Sequence, residues 1–123
     1  MDCKDLEVWQ LARELSIDIH RMTLHEHPKF EMYEEGSQIR RSSKSIRANI
    51  VEGYGRRRYK MEVVCHLAYA PASARETEDH INTPWETGSL TNELLCQDLR
   101  TRINTTIAKL VVFTRGVEQN HES

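Results

Sequence analysis

An all-α chain folded as an up-down-up-down four-helix bundle is predicted by three features of the sequence. Apolar residues recur at spacings of three and four through four separate segments. Proline or glycine punctuates the breaks between those segments. The breaks are short to moderate, which favours antiparallel neighbours. The 123 residues are enough for one domain with a real core. Residues 1–123 therefore read as a single unit, with 118–123 as a frayed tail.

The first helix is predicted over 5–24, with the Asp5 carboxylate capping its open amides. Val8, Ala12, Leu15, Ile19 and Met22 form one apolar stripe. Leu6, Ile17 and Leu24 fall on nearly the opposite side, with Trp9 between, a pattern that hints at a subunit interface. His25 to Gly36 reads as a connection broken at Pro28, with room for a short helical turn. The second helix is predicted over 37–53. Ile39, Ser43, Ile46, Ile50 and Tyr54 make its apolar side, and Arg40, Lys44 and Arg47 make a basic stripe beside it. Gly53 and Gly55 loosen its end.

The third helix is predicted over 60–81, with Val63, Val64, Leu67, Ala70, Ala74, Thr77 and Ile81 facing partners. Pro71 conflicts with this, since an interior proline costs about 3 kcal/mol. A kink near 68–71, or a break into two helices, is the expected response. Residues 82–88 read as the next connection. The last helix begins near Ser89 or Thr91, either of which can cap it, and Leu95, Leu99, Ile103, Leu110, Phe113 and Val117 make its long apolar face.

Charge is distributed unevenly along the chain. The formal net charge is -2, yet residues 37–60 alone carry +7 and both flanks are acidic. Arg40, Lys44 and Arg47 stand about one turn apart, a pitch at which cations follow a phosphate backbone. Arg57, Arg58 and Lys60 would widen the patch, and Tyr54 and Tyr59 offer stacking surfaces for unpaired bases. A solvated charged face, or ion pairs to the acidic first and third helices, would explain the same residues.

Catalytic chemistry finds little support. His25 and His27 lack further ligands nearby, and Glu76 and His80 make an ordinary i, i+4 surface pair. The di-iron bundle pattern needs two Glu-x-x-His motifs, whereas the sequence has one, Glu118 to His121, in the tail expected to fray. The segment from Gly53 to Arg56 lacks the lysine and hydroxyl of a phosphate loop. No metal or cofactor is expected, and the chain reads as non-enzymatic. Cys3, Cys65 and Cys96 are odd in number and widely spaced, which argues against a disulfide framework. Cys65 and Cys96 read as small buried hydrophobes. No apolar stretch approaches the roughly 20 residues that cross a bilayer, and the start carries no apolar leader. A cytoplasmic protein without a membrane partner is the expectation.

The run from Ser37 to Arg56, SQIRRSSKSIRANIVEGYGR, resembles the signature of the bacterial four-helix-bundle proteins encoded in intervening sequences of 23S ribosomal RNA genes, also called S23 proteins. The start from Lys4 to Leu15 and the segment from Ala72 to Glu78 resemble the same family. The family-like positions include Gln38, Arg41, Ser45, Asn49, Glu52, Gly53 and Arg56. Asn49 and Glu52 are expected to bond to Arg41, Ser45 or neighbouring backbone, and Arg56 to Glu52. The resemblance implies a bundle that assembles as a homopentamer, with RNA or DNA as proposed partner and no catalytic residue. The alternative is a structural oligomer that binds a protein partner. The chain departs from the pattern at Arg47, where proline is usual. It departs also at Ser42 and Ser43 (usually alanine), His27 (aromatic), Ala72 (glycine) and Pro71.

Overall fold

The structure is a computed structural model that describes residues 2–26 and 33–120. The described residues form four long helices: α1, Glu7–His25; α2, Glu35–Gly55; α3, Lys60–Thr87; and α4, Glu93–Asn120. A short 3-10 turn, Cys3–Asp5, precedes α1. Each helix packs on the next and α1 closes against α4, with the α2–α3 seam the most extensive and the α1–α4 seam the sparsest. Cross-helix contacts give the directions. Thr23 and Trp9 of α1 meet Arg40 and Arg47 of α2, and Ser42 and Ser45 of α2 meet Thr77 and Ser73 of α3. Trp85 and Glu78 of α3 meet Arg100 and Asn104 of α4, and Asp18 and Glu7 of α1 meet Arg102 and Lys109. The later residue of one helix always meets the earlier residue of the next, so the bundle runs up-down-up-down.

The core is built from the predicted stripes. Val8, Ala12, Leu15, Ile19 and Met22 are buried, as are Ile39, Ser43, Ile46 and Ile50. Val63, Leu67, Ala70, Ala74, Thr77 and Ile81 fill the α3 side, and Leu99, Ile103 and Leu110 the α4 side. The buried hydroxyls of Thr77 and Thr106 donate to carbonyls one turn back, at 2.7 and 2.8 Å, which removes most of the penalty for burying them. Cys96 is buried, but Cys65 is exposed, contrary to expectation, because it stands on the outer side of α3.

The helix ends differ from the sequence reading in three places. Asp5 does not cap α1. Asp2 caps the 3-10 turn, accepting from the Lys4 amide at 3.1 Å, while the Asp5 carboxylate accepts from the Asp2 amide at 3.2 Å. The residue before α1 is Leu6, whose side chain makes no cap bond. Residues 82–87 are helix rather than connection. α3 runs unbroken through both Pro71 and Pro84, whose rings are buried. Packing around Leu67, Ile81 and the part-buried Trp85 accompanies this and outweighs the missing backbone bonds. The helix stops at Gly88, whose φ of 85° is the left-handed conformation that a side chain disfavours. Finally, α4 is capped by Asn92, whose Oδ1 accepts from the Leu95 amide at 3.1 Å, and not by Ser89 or Thr91. α4 is helical through Asn120. The end of the expected frayed tail, His27, and the helical turn expected before α2 lie wholly or largely outside the described residues.

Candidate nucleic-acid interface

The family-like positions of α2 divide between two sides of the helix. Ser45, Asn49 and Gly53 face α3, where a ladder of polar contacts sets the register. Thr77 Oγ1 lies 2.9 Å from Ser42 Oγ, and the Ser45 and Ser73 hydroxyls are 2.9 Å apart. Asn49 Nδ2 donates to the Ser45 carbonyl at 2.9 Å, and its Oδ1 lies 3.4 Å from His66 Nδ1. A Cβ on Gly53 would sit 3.3 Å from His66 Cβ, so the missing side chain is what lets α2 and α3 close. Arg56 is held by Glu52 and Glu62, each at 3.3 Å. It therefore serves the turn between α2 and α3, as the expected Glu52 pair implied. Gln38 and Arg41 are exposed.

Arg40, Lys44 and Arg47 face α1, on the other side of α2. Arg40 is half-buried and its Nη1 donates to Thr23 Oγ1 at 2.9 Å; that hydroxyl donates in turn to the His20 carbonyl at 2.8 Å. The Arg47 guanidinium lies 5.3 Å from the centre of the Trp9 ring, a cation–π distance. These two contacts bracket an open groove of about 520 Å³ between α1 and α2. Ser16, Ile17, His20, Arg21, Lys44 and Arg47 line it. Three basic residues thus line one cavity whose lining includes no carboxylate, with the Arg47 guanidinium resting on Trp9 at one end and that of Arg21 near Asp18. Arg21 leans loosely on Asp18 at 3.8 Å, and Asp18 is held more closely by Arg102 at 2.9 Å. Burial pushes the His20 imidazole below its ordinary range, with Lys44 and then Arg40 adding repulsion.

The remaining three candidates stand apart. Arg57, Arg58 and Lys60 lie in or just after the turn to α3, about 20 Å along α2 from Lys44 at helical rise. The Arg57 guanidinium stacks 4.2 Å from the centre of the Tyr54 ring and donates to the Tyr54 carbonyl at 2.9 Å. Tyr54 is therefore already covered on one face, whereas Tyr59 is exposed. The six basic residues make two patches rather than one. Arg21 and His20 escaped sequence reasoning because only the pairing of α1 with α2 brings them beside Lys44. The His80 and Glu76 pair is present at 3.3 Å, and among the described residues no group of three or more His, Cys, Asp or Glu is placed to hold a metal. No helix among them is long and apolar enough to cross a membrane.

A family model described as 23S rRNA-intervening sequence protein matches residues 4–111. The chain belongs to this family. A crystal structure of a protein of unknown function from the S23 ribosomal protein family of Bacteroides thetaiotaomicron VPI-5482 has the same fold. Its TM-score is 0.74 at 23% identity, covering 88% of this chain and 95% of that one. A search of curated proteins found no match. Membership in the 23S rRNA-intervening sequence family fits a non-enzymatic helical protein.

Proposed function

We propose that this family member is a homo-oligomeric bundle that binds RNA or DNA through the electropositive α1–α2 groove. The observation that carries the reading is that Arg21, Lys44 and Arg47 line one cavity with no carboxylate among its lining residues. Phosphate contacts of this kind supply affinity without sequence preference, and release counterions as they form. Arg57, Arg58 and Lys60 form a second contact for a strand long enough to reach the α2–α3 turn. The family's description, which ties it to 23S rRNA genes, supports RNA as the partner. Five subunits and a reducing, cytoplasmic setting are part of the proposal, the first from the family resemblance and the second from cysteine spacing.

Filter binding across a salt series tests the nucleic-acid role. Weak, salt-sensitive binding is expected, and absence of binding at low salt refutes it. Light scattering tests the assembly, and a monomer at working concentration refutes that part. A protein partner is the second reading. Met61, Cys65 and Tyr69 leave an apolar strip on the outer side of α3, with Met61 82% exposed. Capture of a partner that survives nuclease treatment, by a protein that binds no nucleic acid, would favour it.

A further inference from the structure

The turn between α2 and α3 holds the backbone of Tyr59 and leaves its ring outside. The Tyr59 amide donates to the Arg56 carbonyl at 3.0 Å, and the Tyr59 carbonyl accepts from the Val63 amide at 3.0 Å. Both main-chain groups are thus satisfied within the fold. The side chain serves no such purpose. Tyr59 stands immediately before α3, where a serine or aspartate would bond the open amides, and it makes no cap bond there. Its ring is 66% exposed. Among the described residues the Tyr59 hydroxyl has no hydrogen-bond partner. Charge around the ring is sorted unevenly. Glu52 and Glu62 are the nearest carboxylates in sequence, and both go to Arg56, each at 3.3 Å. Arg58 and Lys60, the chain neighbours of Tyr59, take part in no ion pair among the described residues. Adjacent Cα atoms are about 3.8 Å apart, well inside the Debye length of about 8 Å at physiological salt. Both cations therefore act on whatever meets the ring.

We propose that Tyr59 is a stacking platform for one unpaired base, with Arg58 and Lys60 attracting the phosphates of the same strand. The proposal rests on the nucleic-acid reading and narrows it to single strands at the α2–α3 turn. Cations that meet phosphates act on paired and unpaired strands alike. Stacking needs an open base face, which a base inside a duplex lacks and a single strand offers. The other tyrosines nearby are less suited. Tyr54 has the Arg57 guanidinium 4.2 Å from its ring centre, so one face is already covered. Tyr69 is 53% exposed, but no lysine or arginine stands between residues 61 and 74. Only at Tyr59 do an open ring and unpaired cations coincide.

The test uses the full chain and one short RNA in three forms: a single strand, the same strand annealed to its complement, and an abasic strand of equal length. Tyr59→Ala should weaken binding of the single strand about tenfold and leave the duplex and the abasic strand unchanged. It removes no cation, so the salt dependence of single-strand binding should keep its slope. Changing Arg58 and Lys60 together to Gln should instead lower that slope by about 1.4. Tyr59→Phe should bind as the unaltered protein does, because the ring and not the hydroxyl stacks. Tyr59→Ser, which can cap α3, should repeat the loss seen with Tyr59→Ala and guards against a folding defect. Tyr69→Ala is the control and should change nothing. Equal weakening of all three forms by Tyr59→Ala, or of none, overturns the platform and leaves the nucleic-acid reading standing. A loss with Tyr59→Phe as large as with Tyr59→Ala also overturns it. Failure of every form to bind at low salt overturns both readings.

Discussion

Replacing Gly53 by alanine inserts one methyl group into the closest part of the α2–α3 seam. The new Cβ would stand 3.3 Å from His66 Cβ and 3.4 Å from the Leu67 side chain. His66 Cβ is fixed to the α3 backbone, so relief requires the helices to part by a few tenths of an ångström. Overpacking of this kind costs about 1–3 kcal/mol, against which alanine gains about 1 kcal/mol in helix propensity. Gly55 provides the control, since a Cβ there meets nothing within 4 Å. Gly55→Ala should be neutral or stabilising by about 0.5 kcal/mol, somewhat less than a mid-helix gain because it ends α2. The two variants should differ by about 1–2 kcal/mol. That corresponds to several degrees in Tm for a chain of this size, read by thermal circular dichroism at matched concentration, because assembly would shift both. Equal Tm changes would refute the close approach of α2 and α3.

Thr77→Val leaves Ser42 without its partner across the α2–α3 seam while keeping the side-chain volume; a loss of about 1 kcal/mol in urea unfolding is expected, and no loss would show that the polar ladder does not help set the register. Thiol labelling should be fastest at the exposed Cys65 and slower at the half-buried Cys3. Cys96, whose thiol is pushed up by burial, should label at the rate of unfolding, and rapid labelling of Cys96 would contradict the packing. His20 gives a pH signature in the ligand-free protein. Its folded pKa lies below the unfolded value of about 6.5, so the unfolded chain binds more protons in that range. Stability is therefore lost as pH falls below about 6.5. His20→Gln should lessen that loss, and an unchanged stability–pH curve would contradict the environment assigned to His20.

Much of the bundle was legible because its core follows simple spacing. The stripe from Val8 to Met22 is apolar at three- and four-residue intervals, and every member is buried. The length of α3 was not legible. Pro84 beside Trp85 and Gly88 reads as a turn, and only burial of Ile81, Pro84 and Trp85 holds the helix through it. Capping failed for a related reason: Asp2, Asp5, Ser89, Thr91 and Asn92 are all capable caps, and the choice among them depends on where packing ends each helix. The interface was half legible. Arg40, Lys44 and Arg47 share a visible stripe, but which helix they face is decided by the polar ladder turning the opposite side of α2 toward α3. Nothing local to α1 marks His20 and Arg21 as its partners, and nothing local to α2 shows that Arg40 is occupied by Thr23.

Phosphate binding on this reading belongs to the α1–α2 groove. It is tested most directly by the salt dependence of single-stranded RNA binding, measured for the unaltered protein and for a variant with Arg21, Lys44 and Arg47 all changed to Gln. Each lost contact to a single strand lowers the slope of log affinity against log salt by about 0.7, so the variant should lose about 2 from the slope along with most of its affinity. An unchanged slope and affinity in a folded variant would contradict the claim.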